Sequence, residues 1–163
     1  MKFIRFAVIL ALGFVLAACA PKFRTYDGPA VTLVEVHKAK RKMYLISGDT
    51  VLKTYTIKLG GNPVGHKQFE GDMKTPEGSY TITHRNPNSA YHLSLGISYP
   101  NQQDRAFAQS QGKRPGGDIF IHGGPDQWFA GRYWTAGCIA VTDGQMEEIF
   151  AMVNPGTKIN IYP

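Results

Sequence analysis

Cysteine is scarce here: the 163 residues contain two, Cys19 and Cys138. No Cys-x-x-Cys or His-x-x-x-His pair occurs, and the five histidines are scattered, so zinc-ligand spacing is missing and no metal is expected. A glycine-rich phosphate loop of the Walker or dinucleotide type is also lacking. So is the Gly-x-Ser-x-Gly elbow of a serine hydrolase. No cofactor is implied. No apolar run reaches the roughly 20 residues that cross a bilayer. Internal repeats and a second domain are absent as well. The charge excess is modest, 18 Lys and Arg against 12 Asp and Glu. Such a balance suits anionic polymers or membrane surfaces without specifying either.

What the chain does have begins at its N-terminus. Lys2 and Arg5 precede the apolar run FAVILALGFVLAA, which ends in small residues. A basic start, a short apolar stretch and small residues before a cut site describe a secretory signal over residues 1–18. A transmembrane anchor is the rival reading. Leu16-Ala17-Ala18-Cys19 resembles the bacterial lipobox, which implies lipidation of Cys19 and a membrane-held tether over residues 19–30. Ala20 after Cys19 fits outer-membrane sorting, so a periplasm-facing lipoprotein of the bacterial envelope is expected. A Cys19–Cys138 disulfide is the competing possibility, since export compartments permit one. With Cys19 lipidated, Cys138 is an unpaired thiol, and such a leftover cysteine is a candidate reactive group. Export also disfavours nucleic acid as a partner for the basic cluster HKAKRK (37–42), which reads as a solvated hairpin face.

From Val31 onward the texture is β. VTLVEV, RKMYLI and VLKTYTIKL read as strands separated by turn residues. A loop-rich middle, GGNPVGHKQFEGDMKTPEGSY, leads to the short strand YTIT. One short helix fits NQQDRAFAQSQG, ending at Gly112. Ile119-Phe120-Ile121 form an apolar strand directly before His122, and IAV follows Cys138 as another. Thr142-Asp143-Gly144-Gln145 fits a capping box. Met146, Ile149, Phe150 and Val153 then recur at helical spacing, Asn154-Pro155-Gly156 stops the helix, and TKINIY closes the chain as a strand. The expectation is one mainly β domain over residues 31–163 with one or two short helices.

His122 ends an apolar strand and precedes Gly123-Gly124; Cys138 follows Gly137. A cysteine nucleophile requires a nearby base or cation to form thiolate. It also requires donors for the developing oxyanion, which backbone N–H groups beside a glycine can supply. By spacing alone the pair is suggestive, and a structural cysteine and histidine is the commoner reading. The wording around them adds more. IHGG followed by TAGCIAVTD resembles the signature of the YkuD-type L,D-transpeptidase catalytic domain, and EGDMKTPEGSYTIT is similar to its Thr-Pro-x-Gly segment. GHKQFEGDMKTPEG, YHLSLGISYPN and PGGDIFIHG resemble the YafK-like branch of that family.

The resemblance implies a β-sandwich-like fold and a site in which Cys138 is the nucleophile and His122 its base. It also implies that the Gly123 carbonyl orients the imidazole and that Gly137 and Cys138 N–H groups face the oxyanion. Thr135 matches a small hydroxyl position of the motif. Arg132, Trp134, Tyr133, His92 and His66 are candidate substrate contacts, with Glu70 and Asp72 nearby in sequence. Two positions depart from the family pattern: Ala136 stands where many members have His, and Ala140 where many have Arg. The implied function is cross-linking of peptidoglycan stem peptides through a cysteine thioester. Hydrolysis through the same thioester, trimming stems or releasing a wall-attached lipoprotein, is the second reading. A non-catalytic wall-binding lipoprotein is the third. The chain is expected to act as a monomer.

Overall fold

The computed structural model describes residues 22–124 and 135–163. Eight strands and two helices follow in the order β1 (Leu33–His37), β2 (Lys42–Ser47), β3 (Thr50–Thr56), β4 (Gly78–Asn86), β5 (Ser94–Ile97), α1 (Gln102–Ser110), β6 (Phe120–His122), β7 (Ile139–Ala140), α2 (Asp143–Met152) and β8 (Lys158–Tyr162). The fold is mainly β with two short helices, as the strand-length apolar segments predict.

Alternation sets the inner face. In β1, Val34 and Val36 are fully buried while Leu33, Glu35 and His37 are partly exposed, the period of two that a half-covered sheet requires. Met43 and Leu45 of β2 and Ile159 and Ile161 of β8 continue that face across the register. The strand order is β3-β2-β1-β8-β4-β5-β6-β7. β4 is the hinge of the sheet: Gly78–Thr81 pair with β8, and Ile82–Asn86 pair with β5. The register slips between Ile82 and Arg85. A bulge there bends the strand and increases its twist, so the two halves of the sheet curl toward each other. Chain leaving β3 then returns to the opposite edge. Lys58 exchanges two backbone hydrogen bonds of 2.9 Å with Ala140, and Gly60 bridges to Thr135. The short edge strand β7 is thereby covered, which removes an exposed ladder.

Helix α2 starts at the anticipated box: Gln145 N–H donates to the Thr142 hydroxyl, and Thr142 N–H donates to the Gln145 side chain. It buries Met146, Ile149 and Phe150 in the common core. Helix α1 begins at a second box, Asn101 with Asp104, and stops just before Gly112 at φ +66°. Among the described residues no helix is long and apolar enough to cross a membrane.

Two segments differ from the sequence expectation. Lys38, assigned to a solvated hairpin face, is 3% exposed. Its ammonium donates to the carbonyls of Gly65 and Thr75 and to Glu77, at 2.7–2.9 Å. Three well-placed acceptors satisfy the three donors of a lysine, so burial is tolerated, and burial pulls its pKa below the ordinary lysine value against the opposing pull of Glu77. Residues 22–30, expected as tether, lie against the domain. Arg24 pairs with Glu147 at 2.9 Å and Glu148 at 3.2 Å, and the Phe23 ring centroid stands 6.3 Å from that of Phe150. Tyr26 packs on the core.

Candidate active site

Parallel pairing of β6 with β7 places the two candidate residues. Ile121 faces Ile139 and His122 faces Ala140 in the register. Ile121 and Ile139 are fully buried. Side chains alternate along strands, so His122 leaves on the other face; one step back from β7, Cys138 shares it. Both line one groove of about 430 Å³, together with Asn86, Ser94 and Asp118 among others.

His122 is 3% exposed, and its Nδ1–H donates to the Gly123 carbonyl. That bond assigns the proton to Nδ1 and leaves Nε2 as the basic nitrogen. Burial lowers the imidazole pKa, with the Gly123 bond opposing. The ring is therefore neutral near pH 7. Tyr91 lies over it, centroid to centroid 4.7 Å. The turn beyond His122 is held from α2: Gly124 N–H donates to Asp143 Oδ1 at 2.8 Å. A Cβ on Gly123 would fall 2.5 Å from that same oxygen, so a side chain there would have to push the Asp143 carboxylate off its place.

The thiol of Cys138 donates to the Asp118 carbonyl at 3.3 Å. Burial raises its pKa, and the Asp118 carboxylate adds to this; the Phe120 backbone and the Lys67 ammonium pull the other way. The resting site thus pairs a protonated thiol with a neutral imidazole. Thr135, 4% exposed, closes the nucleophile turn: its hydroxyl donates to the Cys138 carbonyl at 2.9 Å and accepts from Gly137 N–H at 3.4 Å. Gly137 has φ +138°, and a Cβ there would meet the Lys74 carbonyl oxygen at 2.5 Å. Both facts demand glycine. Asp72 fixes the opposing segment by accepting from the backbone N–H groups of Gln68, Phe69 and Lys74, and from Lys67 at 2.9 Å.

The structure thus brings Cys138, His122 and Thr135 to one groove, with Gly123 and Gly137 next to them in the chain. His66 lies elsewhere, a correction to its expected place at the substrate. It lines a separate cleft, where its Nε2 meets Asp104 at 3.1 Å and its Nδ1 accepts from Glu77 N–H. The pull of that second network is tertiary and leaves no mark in local sequence. His92 turns toward α2, 3.0 Å from Glu147 and 4.0 Å from Asp143, so it backs the histidine turn. Asp72 is a loop brace, and Glu70 forms an exposed pair with Arg114. Cys19, Arg132, Tyr133 and Trp134 lie outside the described residues. Tyr91, Asp118 and Asp143 escaped the sequence reading. Asp143 sat inside the recognised capping box, and Tyr91 inside the segment that carries His92.

The model of YkuD, the L,D-transpeptidase catalytic domain, matches residues 31–161. The chain belongs to this family. "Putative L,D-transpeptidase YafK" of Escherichia coli K12 is 30% identical over 143 residues, covering 80% of this chain and 53% of that protein. The helical cell shape determining protein Pgp2 of Campylobacter jejuni superposes with a TM-score of 0.59 at 28% identity, covering 83% of this chain and 49% of that one. Mycobacterium tuberculosis L,D-transpeptidase 1, at 14% identity and a TM-score of 0.53, covering 82% of this chain and 62% of that one, shares the fold. The chain spans about half the length of the curated YafK relative and of Pgp2.

Proposed function

We propose that this YkuD-family domain is a cysteine-dependent acyltransferase that cross-links peptidoglycan stem peptides. The observation that carries the reading is the juxtaposition of Cys138 with a neutral His122 whose Nδ1 is fixed by Gly123. In the first half-reaction His122 Nε2 takes the thiol proton as sulfur attacks the carbonyl at the L-centre of the diamino acid. The C–N bond breaks, and the departing D-amino acid leaves as an amine carrying the proton from His122. The backbone N–H of Cys138 would face the oxyanion, joined by that of Gly137 once it leaves the Thr135 hydroxyl. In the second half-reaction an amine of a neighbouring stem attacks the thioester carbonyl, forming an amide and returning the proton to sulfur.

Hydrolysis is favoured by one feature. Ala140, where many relatives carry arginine, is fully buried, so that position supplies no cation to anchor an acceptor. Water would then replace the amine and release a shortened stem or a wall-attached protein. Incubation with purified tetrapeptide stems separates the two: cross-linked dimers are expected. Shortened monomers alone, at saturating acceptor, would replace transfer with hydrolysis. An inert Cys138→Ala variant is expected in either case, and undiminished turnover by it would leave only a wall-binding role. The reading extends to an exported lipoprotein held by a lipid on Cys19, at the outer membrane; palmitate labelling lost in Cys19→Ala tests this. The name of Pgp2 brings cell shape within the same proposal.

A further inference from the structure

We propose that Asp118 is a specificity residue that recognises a cationic amine on the substrate inside the catalytic groove. The inference rests on the acyl-transfer reading and names the charge of what that site takes. Among the described residues lining the groove, Asp118 is the one that carries a formal charge at neutral pH. Asn86, Ser89 and Ser94 around it are neutral and polar. Its position relative to the nucleophile is fixed through the main chain, since its own carbonyl accepts the Cys138 thiol at 3.3 Å. The residue holds φ +54°, a left-handed conformation that aspartate and asparagine tolerate better than most side chains. The residue as a whole is exposed and lines the groove, and its carboxylate is near enough to the sulfur to act on it.

An anion at this place opposes the chemistry unless something answers it. The thiol must ionise, burial already disfavours that, and the carboxylate adds to the opposition. Among the described residues, Lys67 answers it only in part, because its ammonium is already engaged by Asp72 at 2.9 Å and by the Phe69 carbonyl at 3.0 Å. A ligand ammonium entering the groove would neutralise Asp118 and favour the thiolate at the moment of binding. The diamino acid of a stem peptide brings such a group, either as the side-chain amine of the acyl donor or as the incoming amine of the acceptor.

The test compares labelling of Cys138 in the full chain by a trimethylammonium-ethyl and a sulfonato-ethyl methanethiosulfonate, read by peptide mass spectrometry. Rates are normalised to those of free cysteine. The cationic reagent is expected to be favoured by about five-fold or more, the effect of one unit charge acting across a few ångströms of wet groove. The preference should shrink in high salt and disappear in Asp118→Asn, which keeps the left-handed backbone accessible. Absence of preference in the wild type, or one that persists in Asp118→Asn, overturns the inference. The wild-type salt series decides it even if the variant misfolds. Stem peptides with free or N-acetylated side-chain amines then separate the sources. Faster thioester formation from the free-amine donor, levelled by Asp118→Asn, assigns the donor. An effect confined to thioester breakdown by an amine assigns the acceptor, and no amine dependence at either step overturns the role. Should no stem react, the acyl-transfer reading fails while the labelling ratio still decides the charge preference.

Discussion

At the residue scale, the site is poised as neutral partners. Burial moves the Cys138 thiol up and the His122 imidazole down, so under the proposed mechanism proton transfer between them awaits substrate. The sign of each shift dictates a pH profile. Alkylation of the resting enzyme by an uncharged iodoacetamide should climb as pH passes above the ordinary thiol value of about 8.5. A preformed thiolate–imidazolium pair would instead give a plateau extending below neutrality, and finding one would contradict the neutral pair. The Gly123 carbonyl does for His122 what a carboxylate does in many triads: it fixes the tautomer without bringing a charge. The histidine consequently gains orientation from a neutral carbonyl at Nδ1, while burial lowers its pKa.

At the element scale, the turns flanking the two strands carry the geometry. Gly137 combines φ +138° with backbone packed against its Cα. Gly137→Ala should therefore destabilise by about 1–3 kcal/mol, visible as a lower urea midpoint, and the displaced turn should depress kcat further. Helix α2 acts at a distance through its first residue. Asp143→Ala removes the acceptor of Gly124 N–H, so kcat should fall while thermal stability changes by roughly 1 kcal/mol. Asp143→Asn keeps a side-chain oxygen and should restore most of the rate. Equal losses in both variants would show that charge, rather than the hydrogen bond, matters there. The strands needed little interpretation, because period-two burial in β1 and β2 is written in residue order. The sheet closure through Lys58–Ala140 was not, since an isolated bridge lacks a local pattern.

At the scale of the whole molecule, the N-terminal segment and the site share one face of α2. Arg24 grips Glu147, Glu147 meets His92, and His92 approaches Asp143, which holds the turn after His122. Arg24 and its partners are partly exposed, so the pair is screened. Arg24→Ala should lower stability by less than about 1 kcal/mol, and the loss should shrink as salt is raised. Thermal melts at two ionic strengths measure it; a larger, salt-independent loss would mean that packing of the Arg24 stem outweighs its charge.

Residue order by itself determined the mainly β class and both helix starts near their caps, and, through its likeness to a family signature, singled out His122 and Cys138 as the candidates for chemistry. These are local facts: alternation, one capping box, a helix-ending glycine, and the wording around a histidine and a cysteine. Only the tertiary structure decided what surrounds them. Folding took His66 to a separate cleft and turned His92 onto Glu147, and it buried Lys38 under three acceptors. It also set Asp118 beside the sulfur. The physical reason is shared. A polar side chain goes where its donors and acceptors are met, and those partners lie tens of residues away in sequence, beyond the reach of any local pattern.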